Sequence, residues 1–120
     1  MALWELDGVA IATKIRKGEV TAREATEATL ARMDAVNSAI NAVVARDDEA
    51  ALVAADAVDA ARADGAELGP MAGVPVTIKE NVDQTGCATT NGLLIQKDLV
   101  ATQDNPVVAN LRRAGAVIVG

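Results

Sequence analysis

A chain of 120 residues, 51% of them hydrophobic, is long enough for one packed core, so a single domain is the default. Its net charge of −6 opposes direct binding to nucleic acid, whose phosphates demand clustered Lys and Arg. The absence of His removes the commonest general base and the commonest metal ligand, and with them Ser-His and Cys-His catalysis within the chain.

In chain order, Val9, Ile11 and Ile15 sit among Ala and charge in a weak helical pattern from Leu6 to Lys17, and Gly18 comes next as a C-cap. The basic residues Lys14, Arg16 and Lys17, with Glu19 close by, read as a solvated helix end. Thr21-Ala-Arg-Glu24 has the capping-box form, in which the hydroxyl and the carboxylate satisfy each other's backbone donors. A second helix is predicted from there to about Asn37, burying the stripe Leu30, Met33, Val36 and Ile40. Ile40 to Ala45 is short and β-branched, compatible with an extended segment, and Asp47 and Asp48 can cap a helix beginning after them. That third helix, Glu49 to Asp64, presents Val53, Ala57 and Ala61 along one face and stops at Gly65.

Gly65 to Gly73 is a loop by its punctuation, and Val74-Pro-Val-Thr-Ile78 then alternates like a strand, with Val74, Val76 and Ile78 on one face. Pro75, Thr77 and Lys79 share the other. Asn81 to Asn91 is polar and reads as a loop. Asn105-Pro106 opens a fourth helix, Gly115 stops it, and Ala116 to Val119 is an apolar strand. The expectation is an α/β chain, helical over 1–65 and strand-loop-helix-strand over 74–120. Its last unit is half of a layer, as if the architecture were incomplete.

The core expected from this composition is aliphatic, because Phe and Tyr are absent and Trp4 is the one aromatic residue. Small side chains bury little area each, and at roughly 25 cal/mol per Å² they gain less than a typical core. Marginal stability alone, or a missing partner surface, is therefore expected. The single Cys87 permits no internal disulfide and points to a reducing, cytoplasmic compartment. No basic region followed by an apolar run opens the chain, and no stretch approaches bilayer length, so it reads as soluble with no membrane partner.

Among residues able to carry chemistry, Lys79 stands out, since it follows an apolar strand and precedes a polar loop, where α/β proteins keep functional groups. A desolvated lysine there could act as a base. From pattern alone, a strand end solvated beside Glu80 is the favoured reading. Cys87 lacks a histidine to activate it and reads as a loop or packing thiol. Asp83, Asp98 and Asp104 are scattered and typical of loops and caps, so no metal site and no cofactor is expected.

The run Gly69-Pro-Met-Ala-Gly-Val-Pro-Val-Thr-Ile-Lys-Glu-Asn-Val-Asp83 resembles the amidase-signature motif, in which a Gly-[Ile/Val]-Pro strand leads into a lysine and an acidic residue. Thr89-Thr90 and Gly92 come at the family's offset. Asp104 to Gly120 is similar to the family's next helix and strand, and Lys17-Gly-Glu-Val-Thr21 and Asn37-Ser-Ala-Ile-Asn-Ala42 resemble its amino-terminal helices.

The resemblance implies an incomplete amidase-signature fold: amino-terminal helices, then the first strands and helix of a mixed sheet. It also implies a Ser-cis-Ser-Lys hydrolase of carboxylic amides, acting on C–N bonds other than peptide bonds, with Lys79 as the ultimate base. The family's two serines lie in a glycine-rich loop farther along, whereas this chain has one serine, Ser38, near the end of the second helix. The chain is thus expected to be inactive alone and to belong to a parent enzyme of a small-molecule amide. Glu80 is open between placing Lys79 and lying solvated. Expected partners are a second copy in a homodimer or a complementing chain. Two alternatives stand beside this reading: a non-catalytic interaction module, and the amidase subunit of a tRNA-dependent amidotransferase.

Overall fold

The computed structural model describes residues 1–120. After a single 3-10 turn at Leu3–Glu5 come helices α1 (Gly8–Lys17), α2 (Ala22–Ile40) and α3 (Asp48–Ala63). Strand β1 (Pro75–Val76), a 3-10 turn at Leu94–Gln96, helix α4 (Pro106–Arg113) and strand β2 (Val117–Ile118) complete the order. The architecture is thus mixed, with helices first and a small parallel sheet in which Pro75 pairs with Val117 and Val76 with Ile118. No helix is long and apolar enough to cross a membrane.

The helix ends obey local chemistry. Asp7 caps α1 by accepting from the Ala10 N–H, and Gly18 closes it in the left-handed region at φ 74°. At α2 the capping box forms: Thr21 Oγ1 accepts from the Glu24 N–H at 3.0 Å and the Glu24 carboxylate accepts from the Thr21 N–H at 2.8 Å. The next two donors, the N–H groups of Ala22 and Arg23, go to the Asp59 carboxylate of α3 at 2.8 and 3.0 Å. The α2 amino terminus is therefore satisfied from two sides, and one of those sides locks it to α3. Asp47 caps α3, and Asn105 caps α4 with Pro106 at its first turn.

Three elements differ from their sequence expectations. Helix α2 runs on to Ile40, leaving Ile40 exposed, because Asn41 turns the chain in the left-handed region and the Asn37 amide receives it. Asn37 donates to the Val43 carbonyl and accepts from the Ala42 and Val43 N–H groups, so 41–47 is a pinned coil. On α3 the packed residues are Ala51 and Ala55, whereas Val53 is exposed. A helix of nearly uniform Ala and acid offers several similar faces, and packing against α2 selects one. The strand expected at Val74–Ile78 is regular only at Pro75–Val76, yet its hydrogen bonds continue on both sides.

That continuation forms a backbone seam. Met71 N–H donates to the Ala114 carbonyl, Gly73 to Gly115, Val117 to Val74, Val119 to Val76 and Ile78 to Gly120, each at 2.9 Å. Such close backbone approach needs residues without Cβ. A Cβ at Gly69 would strike the Ala114 carbonyl oxygen, and at Gly73 (φ 76°) it would lie 2.6 Å from Ile15 Cδ1 and 2.7 Å from Ala22 Cβ. Around the seam lies an aliphatic core of Ile11, Ile15, Leu30, Met33, Val74, Val117 and Val119 with five alanines. Thr26 is fully buried among them, and its hydroxyl has no hydrogen-bond partner.

The seam and the buried hydroxyl each set a stability outcome. Gly73→Ala adds overpacking to left-handed strain and should lower stability by about 3 kcal/mol, while Gly65→Ala, also left-handed but with open space around it, should lose only about 1 kcal/mol. Equal losses in urea denaturation would contradict the close approach at Gly73. Thr26→Val keeps the shape and deletes an unsatisfied buried hydroxyl, so a gain of about 1 kcal/mol is expected, and a loss would mean the hydroxyl is bonded.

Candidate active site

Lys79 stands one residue past the end of the seam, at the carboxyl end of β1, where open α/β sheets present functional groups. Its carbonyl accepts from the Val82 N–H at 2.9 Å, which makes 79–82 a turn, and its side chain is exposed. Three of the chain's four lysines take a carboxylate partner: Lys14 and Lys17 on Glu19, and Lys97 on Asp98. Lys79 has none.

The acids nearest in sequence are otherwise engaged. Glu80 accepts from the Thr90 N–H at 2.8 Å and from the Thr90 hydroxyl, and these bonds hold its carboxyl below the ordinary 4.5. The first and largest cause is the Thr90 hydroxyl, with burial opposing it. Of the two roles open for Glu80, free solvation is not the one it takes, and it forms no ion pair with Lys79 either. It fastens the 90–92 loop beside the lysine turn, and the Gly92 N–H donates in addition to Thr90 Oγ1 at 3.1 Å.

Asp83 and Asp104 pin the next loop. Asp83 accepts from the Thr89 hydroxyl at 2.6 Å, and its carbonyl accepts from the Asn105 N–H. Asp104 accepts from the Thr85 N–H at 2.8 Å and from Arg112 Nε at 3.0 Å. Its carboxyl is lowered first by the Thr85 N–H, with Arg112 adding to that and burial opposing it. Between these pins, 86–89 and 99–101 run antiparallel: the Gly86 N–H donates to Ala101, Ala101 to Cys87 and Thr89 to Leu99.

Cys87 is a free, half-buried thiol in that ladder, Asp98 is exposed, and no three His, Cys, Asp or Glu side chains gather into a metal-binding group. Ser38 lies exposed in the last turn of α2, an element apart from the lysine turn. The arrangement therefore offers one unpaired amine on an anchored turn, and no nucleophile beside it. Sequence reasoning singled out Lys79 but did not foresee Thr90 as the partner of Glu80. The only signal was the Thr-Thr pair itself, with nothing to say which carboxylate it would meet.

Comparison with known proteins supplies the frame. The Amidase family profile matches residues 24–120. The chain is 49% identical over 118 residues to an indoleacetamide hydrolase of Bradyrhizobium diazoefficiens, covering 98% of itself and 22% of that protein. It is 40% identical to the A subunit of the glutamyl-tRNA(Gln) amidotransferase of Moorella thermoacetica, covering 100% of itself and 25% of that protein. Among solved structures, the peptide amidase of Stenotrophomonas maltophilia superposes with a TM-score of 0.88 at 31% identity, over 97% of this chain and 24% of that one. The chain thus spans about a quarter of the length of the relatives it matches. By this match of profile, sequence and fold, the chain belongs to the amidase family, the amidase-signature enzymes.

Proposed function

We propose that this chain supplies the base of an amide hydrolase, with Lys79 as the proton acceptor of a Ser-cis-Ser-Lys relay whose serines come from a segment outside these 120 residues. The observation that carries the reading is the unpaired amine of Lys79 in an acidic chain, on a turn whose own carboxylate, Glu80, is committed to Thr90. An ion-paired ammonium is held protonated, whereas an amine withdrawn from water by a covering segment favours its neutral form.

In the proposed reaction a serine Oγ attacks the amide carbonyl carbon while its proton passes through the second serine to Lys79 Nζ. The C–N bond then breaks, the amine leaves carrying the returned proton, and water hydrolyses the acyl ester. The substrate class is a small-molecule carboxylic amide, at C–N bonds other than peptide bonds. Cys87, a free thiol, agrees with a cytoplasmic setting. No metal or cofactor has a role in this scheme.

A second reading, the amidase subunit of a tRNA-dependent amidotransferase, draws on the 40% identity to such a protein over the whole chain. Copurification with further amidotransferase subunits would favour it over a stand-alone amidase.

The test is complementation. The chain combined with the serine-bearing remainder of a related amidase should hydrolyse a carboxylic amide, and Lys79→Ala should slow turnover roughly a thousandfold. Equal turnover by wild type and Lys79→Ala would end the reading.

Glu80 gives a separate, pH-dependent check. Its folded value lies below the ordinary 4.5, so its contribution to holding the 90–92 loop is present above that value and is lost as pH falls through the lower folded one. In a pH series followed by NMR, the Thr90 amide proton should titrate with a midpoint below 4.5, and Glu80→Gln should abolish that titration. A midpoint at or above 4.5 would refute the clasp.

A further inference from the structure

A cleft of about 270 Å³ is lined by Trp4, Leu6, Ile11, Met33, Val36 and Val74. Drug-sized sites begin at roughly 300 Å³, so this one has room for a single ring with a short chain. The one charged group on its mostly apolar lining is Arg32. Arg32 lies over the Trp4 ring, with Cζ 4.2 Å from the ring centroid. That contact uses the charge of the guanidinium and leaves its N–H donors free for an acceptor. The chain does not supply one. The helical neighbours of Arg32, three and four positions away, are Ala28, Thr29, Ala35 and Val36, whereas Arg23 finds Glu27 at the same spacing. Arg23, Arg46 and Arg112 hold carboxylates, and Arg16 and Arg113 donate to other oxygens. Arg62, the other arginine that bonds no oxygen, is packed against Gly18 with its Nε buried. Arg32 is exposed.

We propose that this cleft binds a small carboxylate bearing an apolar ring, with the ring among the apolar side chains and the carboxylate on Arg32. One charged group in an otherwise apolar site fixes the polarity of its ligand and the direction in which it enters. The planar guanidinium offers paired N–H donors that match both oxygens of a carboxylate, a fit that a phosphate-sized headgroup would find no room for beside a ring. In a chain of net charge −6 no overall field draws an anion in, so affinity has to come from this local cation together with burial of the ring. Neither part suffices alone. An uncharged ring leaves the Arg32 donors to water, and a carboxylate without a ring meets only an exposed cation, a contact worth little by itself. No lining residue belongs to the lysine turn or to its pinned loops, so this proposal stands or falls independently of the base role of Lys79.

Trp4 is the one aromatic residue, so the intrinsic fluorescence of the chain reports this site alone. Titration of the chain with phenylacetate should change Trp4 emission saturably, with half-saturation at or below about 1 mM. Acetate and the uncharged phenylethanol should each bind at least about tenfold more weakly. Arg32→Gln should weaken phenylacetate binding at least about tenfold while the helical circular dichroism stays unchanged. In amide NMR spectra the shifts caused by phenylacetate should centre on Trp4, Met33 and Val36. If Arg32→Gln fails to fold, the comparison of phenylacetate with phenylethanol on the wild-type chain decides. The proposal would be overturned by the absence of a saturable change, by equal affinity for phenylethanol, by undiminished binding to a folded Arg32→Gln, or by shifts centred away from the cleft.

Discussion

Everything near Lys79 depends on one backbone seam, in which residues 71–78 are hydrogen-bonded step by step to residues 114–120. Two regular residue pairs alone would be a weak sheet, because a pair of strands that short buries too little to order itself. The seam gains its order from its flanks. The segment before β1 passes so close to the end of α4 that Gly69 has no room for a Cβ, Gly73 is crowded from the other side by Ile15 of α1 and Ala22 of α2, and Val74, Val117 and Val119 fall into the shared core beneath. A turn beginning one residue after a ladder bond inherits that ladder's rigidity. Lys79 is consequently placed by backbone geometry on its amino side and by the Glu80–Thr90 clasp on its carboxyl side.

The helices solve a related problem with few large side chains. Alanine at 51 and 55 on α3 and at 22 and 25 on α2 allows the two helices to approach closely, but methyl groups contribute little burial each. Polar ties make up part of the difference. Asp59 takes two free donors at the start of α2, and Arg23 reaches Asp56 at 2.8 Å, so α2 and α3 are joined at one end by charge-assisted bonds. At the other end Arg46 binds both Asp34 of α2 and Asp48 of α3. The exposed member of each such pair adds little by itself, whereas the Asp59 bonds satisfy groups that would otherwise be left half-buried and unpaired.

The features legible in the sequence were local. The Gly18 stop, the Thr21–Glu24 box, the Asp47 cap and the Asn105-Pro106 start each depend on residues within four positions of one another, and each is where its chemistry placed it. The features that stayed hidden depend on distant partners. The face of α3 was ambiguous because Ala repeats on every side of it, and only contact with α2 separates Ala51 and Ala55 from Val53. The true end of α2 turns on the Asn37 amide receiving Ala42 and Val43. At the candidate site, the strand-to-loop position of Lys79 was readable, but the direction of Glu80 was not, since its partner lies ten residues along at Thr90.

The acidity of the chain sharpens the case for Lys79. With 17 acidic against 11 basic residues, the default fate of a lysine is a carboxylate neighbour, and Lys14, Lys17 and Lys97 all meet it. Of the acids that follow Lys79 in the chain, Glu80 bonds a hydroxyl and an amide, Asp83 a hydroxyl, and Asp104 an amide and Arg112. These bonds would order the loops equally well if a fourth ion pair formed, so loop stability alone does not require the amine to be left unpaired. The bonds of these carboxylates to hydroxyls and amides anchor the loops on the carboxyl side of the lysine turn, and Lys79 remains the one lysine without a carboxylate partner.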